Sequence, residues 1–118
     1  MKIISFAWTT EALLKGKKTQ TRRFWDDKYA RKFKAGDLVQ AYDKNPRSGG
    51  KPVAIIRITR DAWKQKLNDM NTRQYLAEGG KLYWSGTWEF IQMMLSQGKG
   101  DRVWVIEFEV VAFHGDKK

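Results

Sequence analysis

The stretch Leu13-Leu-Lys-Gly-Lys-Lys-Thr-Gln-Thr-Arg-Arg23 is the point from which the rest of the chain is read. Before it, Thr9 stands where a helix cap belongs and Glu11 falls in the first turn. Gly16 follows Leu14, as the left-handed stop of a short helix would. After it, Thr19, Thr21 and Arg23 alternate with Gln20 and Arg22, the pattern of a strand with two polar faces. Lys18 lies in the turn between. A plain surface turn satisfies the same composition, since Thr favours strands and Lys and Arg favour solvent. The glycine spacing of a phosphate-binding P-loop is absent.

Outward from this stretch, Lys2–Phe6 reads as a strand, and Asp26 or Asp27 starts a short helix through Phe33. Ala35-Gly-Asp37 stops that helix, and Leu38–Tyr42 reads as the next strand. Asp43–Lys51 is turn chemistry throughout, a basic loop. Val53–Arg60 is a strand with Ala54, Ile56 and Ile58 on one face. Asn71 caps a helix through Glu78, with Gln74 completing a capping box and Met70 and Tyr75 placed as a hydrophobic staple. Gly79-Gly80 ends it. A second helix opens at Thr87 and carries Trp88, Ile91, Met94 and Leu95 on one face until Gly98. The last strand alternates Trp104, Ile106, Phe108, Val110 and Ala112 with Val103, Val105, Glu107, Glu109 and Val111. Glu107 and Glu109 are expected on the outer surface. The sum is an α+β fold with about five strands and short helices.

The 118 residues suit one domain, expected over 1–113, with 114–118 as a loose tail. No apolar run approaches the ~20 residues that span a membrane, and no signal-peptide pattern opens the chain. A cytoplasmic monomer without a membrane partner is expected. There is no Cys and a single His, His114. Thiolate chemistry, Cys-type zinc sites and two-His metal sites are therefore excluded within one chain. No metal or other cofactor is expected, and if the protein is an enzyme it is expected to work with Lys, Thr, Ser, Tyr, Arg, Asp or Glu. A net charge of +10 attracts anionic partners such as RNA or nucleotides, or serves solubility.

Ile4-Ser-Phe-Ala-Trp-Thr-Thr-Glu-Ala-Leu-Leu-Lys-Gly-Lys-Lys-Thr-Gln-Thr-Arg-Arg23 resembles the opening of ASCH-domain proteins, small relatives of the PUA-like RNA-binding barrels. The family's Gly-x-Lys-x-x-Thr-x-Arg pattern is met by Gly16, Lys18, Thr21 and Arg23. The likeness continues in Phe33-Lys-Ala-Gly-Asp37 and in Val105-Ile-Glu-Phe108. It implies a small mixed PUA-like β-barrel of about five to six strands, with short helices flanking a cleft. Fold alone does not fix function. One branch is similar to small bacterial N4-acetylcytidine amidohydrolases, and that likeness implies Lys18, Thr21 and a distant Glu as the catalytic set. Glu78 is the first choice for the Glu and Glu89 the second.

Amide hydrolysis without His, Cys or metal needs a hydroxyl nucleophile and a lysine made neutral by burial or nearby cations, here Lys17, Arg22 and Arg23. Lys18 and Thr21 fall on opposite strand faces, so the turn must redirect the lysine. A helix end disfavours the Glu78 anion and helps it stay protonated as an acid. Arg23 would orient substrate or hold the oxyanion. Trp8 and Trp25 flank the Lys-Thr-Arg stretch and Trp84 lies in a polar loop, so these three are the pocket candidates. Trp88 and Trp104 read as structural. Three readings stand: an amidohydrolase on N4-acylated cytosine or cytidine, a binding module for RNA or a modified nucleotide, and an ASCH-type ribonuclease using the same cleft.

Overall fold

The computed structural model describes residues 1–114. The expected tail beyond His114 lies outside the described residues. The elements run β1 (Lys2–Ser5), α1 (Thr10–Leu14), β2 (Gln20–Arg23), α2 (Asp27–Ala30), β3 (Leu38–Tyr42) and β4 (Pro52–Ile58). There follow β5 (Trp63–Lys66), α3 (Thr72–Ala77), α4 (Gly80–Tyr83), α5 (Thr87–Leu95) and β6 (Arg102–Phe113).

The described strands form one mixed sheet in the order β1-β3-β4-β6-β2, with β5 also on β6. β1 runs parallel to β3, and the other pairings are antiparallel. The sheet curls into a half-barrel, consistent with a small α+β PUA-like barrel. Its length lets β6 serve three partners. Phe108–Phe113 pairs with β4, while Trp104–Glu107 pairs with β2 and Arg102–Val105 with β5. β1 and β2 end the sheet without pairing to each other, so a gap opens between them.

Alternation along β6 serves two cores. Ile106 and Phe108 enter the barrel core with Ile4, Val39, Ile56 and Ile58. Val103 faces the other way into a second core with Leu67, Tyr75, Phe90, Ile91 and Met94. α3 starts as the sequence predicts. Gln74 N donates to Asn71 Oδ1 (2.8 Å) and Asn71 N donates to Gln74 Oε1 (3.1 Å), while Met70 and Tyr75 are buried in the same cluster. Glu109 is exposed and pairs with Arg57, and Glu107 is half-buried against Gln20.

Three features depart from expectation. Thr9 does not cap α1: its Oγ1 donates to Phe6 O (2.7 Å) within a 3-10 turn over Ala7–Thr9. β5 and α4 were not foreseen. Trp88 is 63% exposed rather than structural. Phe90, Ile91 and Met94 form the buried stripe of α5, and at 100° per residue Trp88 stands about 110° from its centre. Trp104 is buried, as expected, with Nε1 donating to Asp27 Oδ1 (2.8 Å).

Candidate active site

A cavity of about 360 Å³ occupies the gap between the sheet's two edge strands. The chain just after β1, the length of β2, the end of α3 and the loop before β6 form its walls. Lys18, Thr21, Arg23, Glu78, Trp8, Trp25 and Trp84 all line it. The structure therefore brings together every residue that the sequence nominated for this site except the reserve. Glu89 lies outside: its Oε1 accepts from Ser85 N (2.9 Å) at the start of α5, which holds its carboxyl below the usual range.

Backbone geometry explains how Lys18 meets Glu78 without the turn redirecting it: the lysine keeps the face it shares with Arg22. An isolated antiparallel bridge joins Lys18 to Glu78, and Thr19 N donates to Ala77 O (2.7 Å). The lead-in to β2 is thus laid against the C-terminal end of α3. Lys18 Nζ donates to the Glu78 carbonyl (3.1 Å) and to its carboxylate Oε1 (2.7 Å). Both residues are buried, at 3% and 2% exposure. Burial lowers the Lys18 pKa; Glu78 opposes that shift, and Arg23 and Arg22 add to it. Of the cations expected to act on Lys18, Lys17 is exposed and does not contribute.

The second partner of Glu78 is a residue that sequence reasoning left out of the site. Arg22 Nη1 donates to Glu78 Oε2 (2.8 Å), with the arginine side chain fully buried. Its Nε donates to Gln65 Oε1 (2.9 Å), and Gln65 Nε2 donates to Gln74 Oε1 (3.0 Å). Both ends of α3 therefore hold Arg22. The helix end that disfavours the Glu78 anion is offset by a cation on each carboxylate oxygen. Parity gave the one available signal for Arg22, since it shares a strand face with Lys18.

Thr21 is buried, and its Oγ1 accepts from Arg23 Nε (3.0 Å). Arg23 Nη2 donates across the gap to Ser5 O (2.8 Å), so this side chain ties β2 to β1. Its guanidinium lies over Phe6 and, at 6.0 Å, over Trp25. Burial lowers its pKa from the ordinary arginine value. Arg23 thus fixes the nucleophile candidate in place.

The aromatic walls differ in character. Trp25 stacks on Phe33 (4.8 Å between centroids) and belongs partly to the barrel core. Trp8 is 60% exposed and meets Tyr83 and Trp84 edge-on, at 5.1 and 5.4 Å. The backbone at Ala7 has φ +47°, a left-handed conformation that costs a non-glycine residue about 1–2 kcal/mol. This strained residue immediately precedes Trp8, which lines the cavity. Among the described residues, no cluster of three or more His, Asp or Glu has metal-site geometry. No described helix is long and apolar enough to cross a membrane.

No family model matches the sequence, and no curated protein matches it. Solved structures do. A protein from Enterococcus faecalis V583 described by the family model DUF984 is 20% identical, with a TM-score of 0.64 over 95% of this chain and 75% of its own. An ASCH domain from Lactobacillus crispatus JV V101 is 18% identical, with a TM-score of 0.62 over 96% of this chain and 81% of its own. The architecture is thereby settled: the chain has the fold of an ASCH domain.

Proposed function

We propose that the protein is an amidohydrolase that removes the acyl group from N4-acylated cytosine or cytidine. The buried Lys18–Glu78 pair, in one cavity with Thr21, carries this reading. Its charge is already met by Glu78, so Lys18 is poorly placed to grip a phosphate. Moving one proton along the 2.7 Å contact from Nζ to Oε1 converts the ion pair into a neutral amine and a carboxylic acid. Those are the two forms that amide cleavage needs.

Thr21 Oγ then gives its proton to the neutral Nζ and forms a bond to the acyl carbonyl carbon. The Arg23 hydrogen bond occupies one lone pair of Oγ1 and leaves the hydroxyl hydrogen free to point elsewhere. Cleavage of the carbon–nitrogen bond releases N4, which takes the Glu78 proton and leaves as the free amine of cytosine. An acyl ester on Thr21 remains. Water gives a proton to the Lys18–Glu78 pair as its oxygen bonds to the ester carbon. The bond from that carbon to Thr21 Oγ breaks as Oγ takes the proton back, and the carboxylic acid departs and ionises in solvent. Trp8 and Trp84 supply apolar walls against which a pyrimidine stacks.

Incubation with N4-acetylcytidine, followed by chromatography for cytidine and acetate, tests the reading. Release of both in equal amounts supports it. No turnover at high enzyme concentration overturns it.

A further inference from the structure

A second cavity, of about 370 Å³, adjoins the first and shares Phe24, Trp25 and Lys99 with it. Its other lining residues include Lys64, Arg102, Asp101 and Trp104. Three cations thus face one carboxylate. Lys64 is partly committed, since Nζ donates to Asp27 Oδ1 (2.8 Å). Lys99 and Arg102 are exposed and have no ion-pair partner among the described residues. Lys99 sits between Gly98 and Gly100, both left-handed (φ +72° and +99°), in the turn from α5 to β6. That turn sets Lys99 at the junction of the two cavities.

The contrast between the cavities is chemical. In the first, Lys18 and Arg22 spend their charge on Glu78, and Arg23 holds Thr21 and Ser5. In the second, the available charge is unspent, which is the condition for taking up an external anion. A cavity of about 360 Å³ is in the range that holds one nucleoside-sized ligand. A group joined to that ligand would pass over the Phe24–Trp25 ridge toward Lys99.

We infer that the second cavity is a phosphate subsite, on the reading that the first takes a cytosine base, so that the preferred ligand is a cytidine nucleotide. The phosphate belongs either to a free mononucleotide or to a short single strand of RNA, and both present the same chemistry to Lys99 and Arg102.

Calorimetric titration with cytidine, cytidine 5′- and 3′-monophosphate and a short oligocytidylate tests this without requiring turnover. At low salt one of the monophosphates is expected to bind about tenfold tighter than cytidine, as one charge-assisted contact implies. That ratio should shrink several-fold in Arg102→Gln and in Lys99→Ala. A ratio near one, a ratio unmoved by both variants, or no binding of any of the four overturns the subsite. An oligocytidylate tighter than the mononucleotides identifies RNA as the source, and equal affinity identifies the free nucleotide; either supports the subsite. The two readings fail separately. Turnover of N4-acetylcytidine with no phosphate preference removes only the subsite. A preserved phosphate preference with no turnover removes only the hydrolase.

Discussion

Lys18 and Glu78, sixty positions apart, are joined three times over: by a backbone bridge, by Nζ on the Glu78 carbonyl, and by Nζ on its carboxylate at 2.7 Å. Such redundancy fixes the geometry of the pair to one arrangement. Replacing Lys18 with Arg should abolish deacylation of N4-acetylcytidine, because a guanidinium does not give up its proton near neutral pH. Lys18→Met should also lower stability by about 1–3 kcal/mol, because Glu78 Oε1 loses its donor while Oε2 keeps Arg22. Denaturant unfolding measures the second effect. Full turnover by Lys18→Arg would sink the mechanism.

The pH profile follows from the direction of the Lys18 shift. Burial lowers its pKa in the fold, Glu78 partly restores it, and Arg23 and Arg22 lower it further. The unfolded chain therefore holds this proton more tightly than the native one. Stability should rise with pH between the lowered native pKa and the unfolded value of about 10.4. Turnover should fall across the native pKa, because the pair then loses the one proton that Glu78 must give to N4. Arg23→Gln removes a positive neighbour, so the falling limb should move to higher pH. A limb in the wild-type position would show that another group controls the profile.

Gly79 completes the turn that aims Glu78. Its φ of +84° is left-handed, and an added Cβ would lie 2.6 Å from the Cβ of Ala12. Gly79→Ala should cost about 2–4 kcal/mol, from backbone strain and overpacking together. Moving this turn also moves the acid, so turnover should fall even at temperatures where the variant stays folded. Circular dichroism and the chromatographic assay on one sample separate the two effects.

What the sequence made legible was what local pattern encodes. The Asn71 and Gln74 capping box, the alternation of β6 and the Gly-x-Lys-x-x-Thr-x-Arg spacing are each visible in short windows. Arg22 was not assigned to the site, because its role depends on Gln65. That residue lies on β5, whose Trp-Lys-Gln-Lys run lacks the apolar alternation of a half-buried strand. Trp88 misled for a similar reason. Ile91 and Met94 of the face read from the sequence are buried, but the stripe is centred toward Phe90 and leaves Trp88 outside it. Only the packing of α5 on β6 determines which side is buried.

The nucleophile assignment rests on Thr21, whose Oγ1 is buried and already held by Arg23 Nε at 3.0 Å. Thr21→Ser keeps both the hydroxyl and the acceptor, so turnover should persist with a modest loss. Thr21→Ala removes the nucleophile and should lower turnover by about 10³-fold or more. It also leaves Arg23 Nε without its acceptor, a cost of about 1 kcal/mol that a folded domain tolerates. The distinguishing readout is covalent. Quenching wild-type enzyme during turnover should leave an acetyl adduct on the peptide that contains Thr21, and Thr21→Ala should carry none. If Lys18 instead activates water directly, the adduct is missing in both proteins and Thr21→Ala retains most of its rate. That result would keep the Lys18–Glu78 pair as the acid–base unit and remove the acyl-threonine from the reaction.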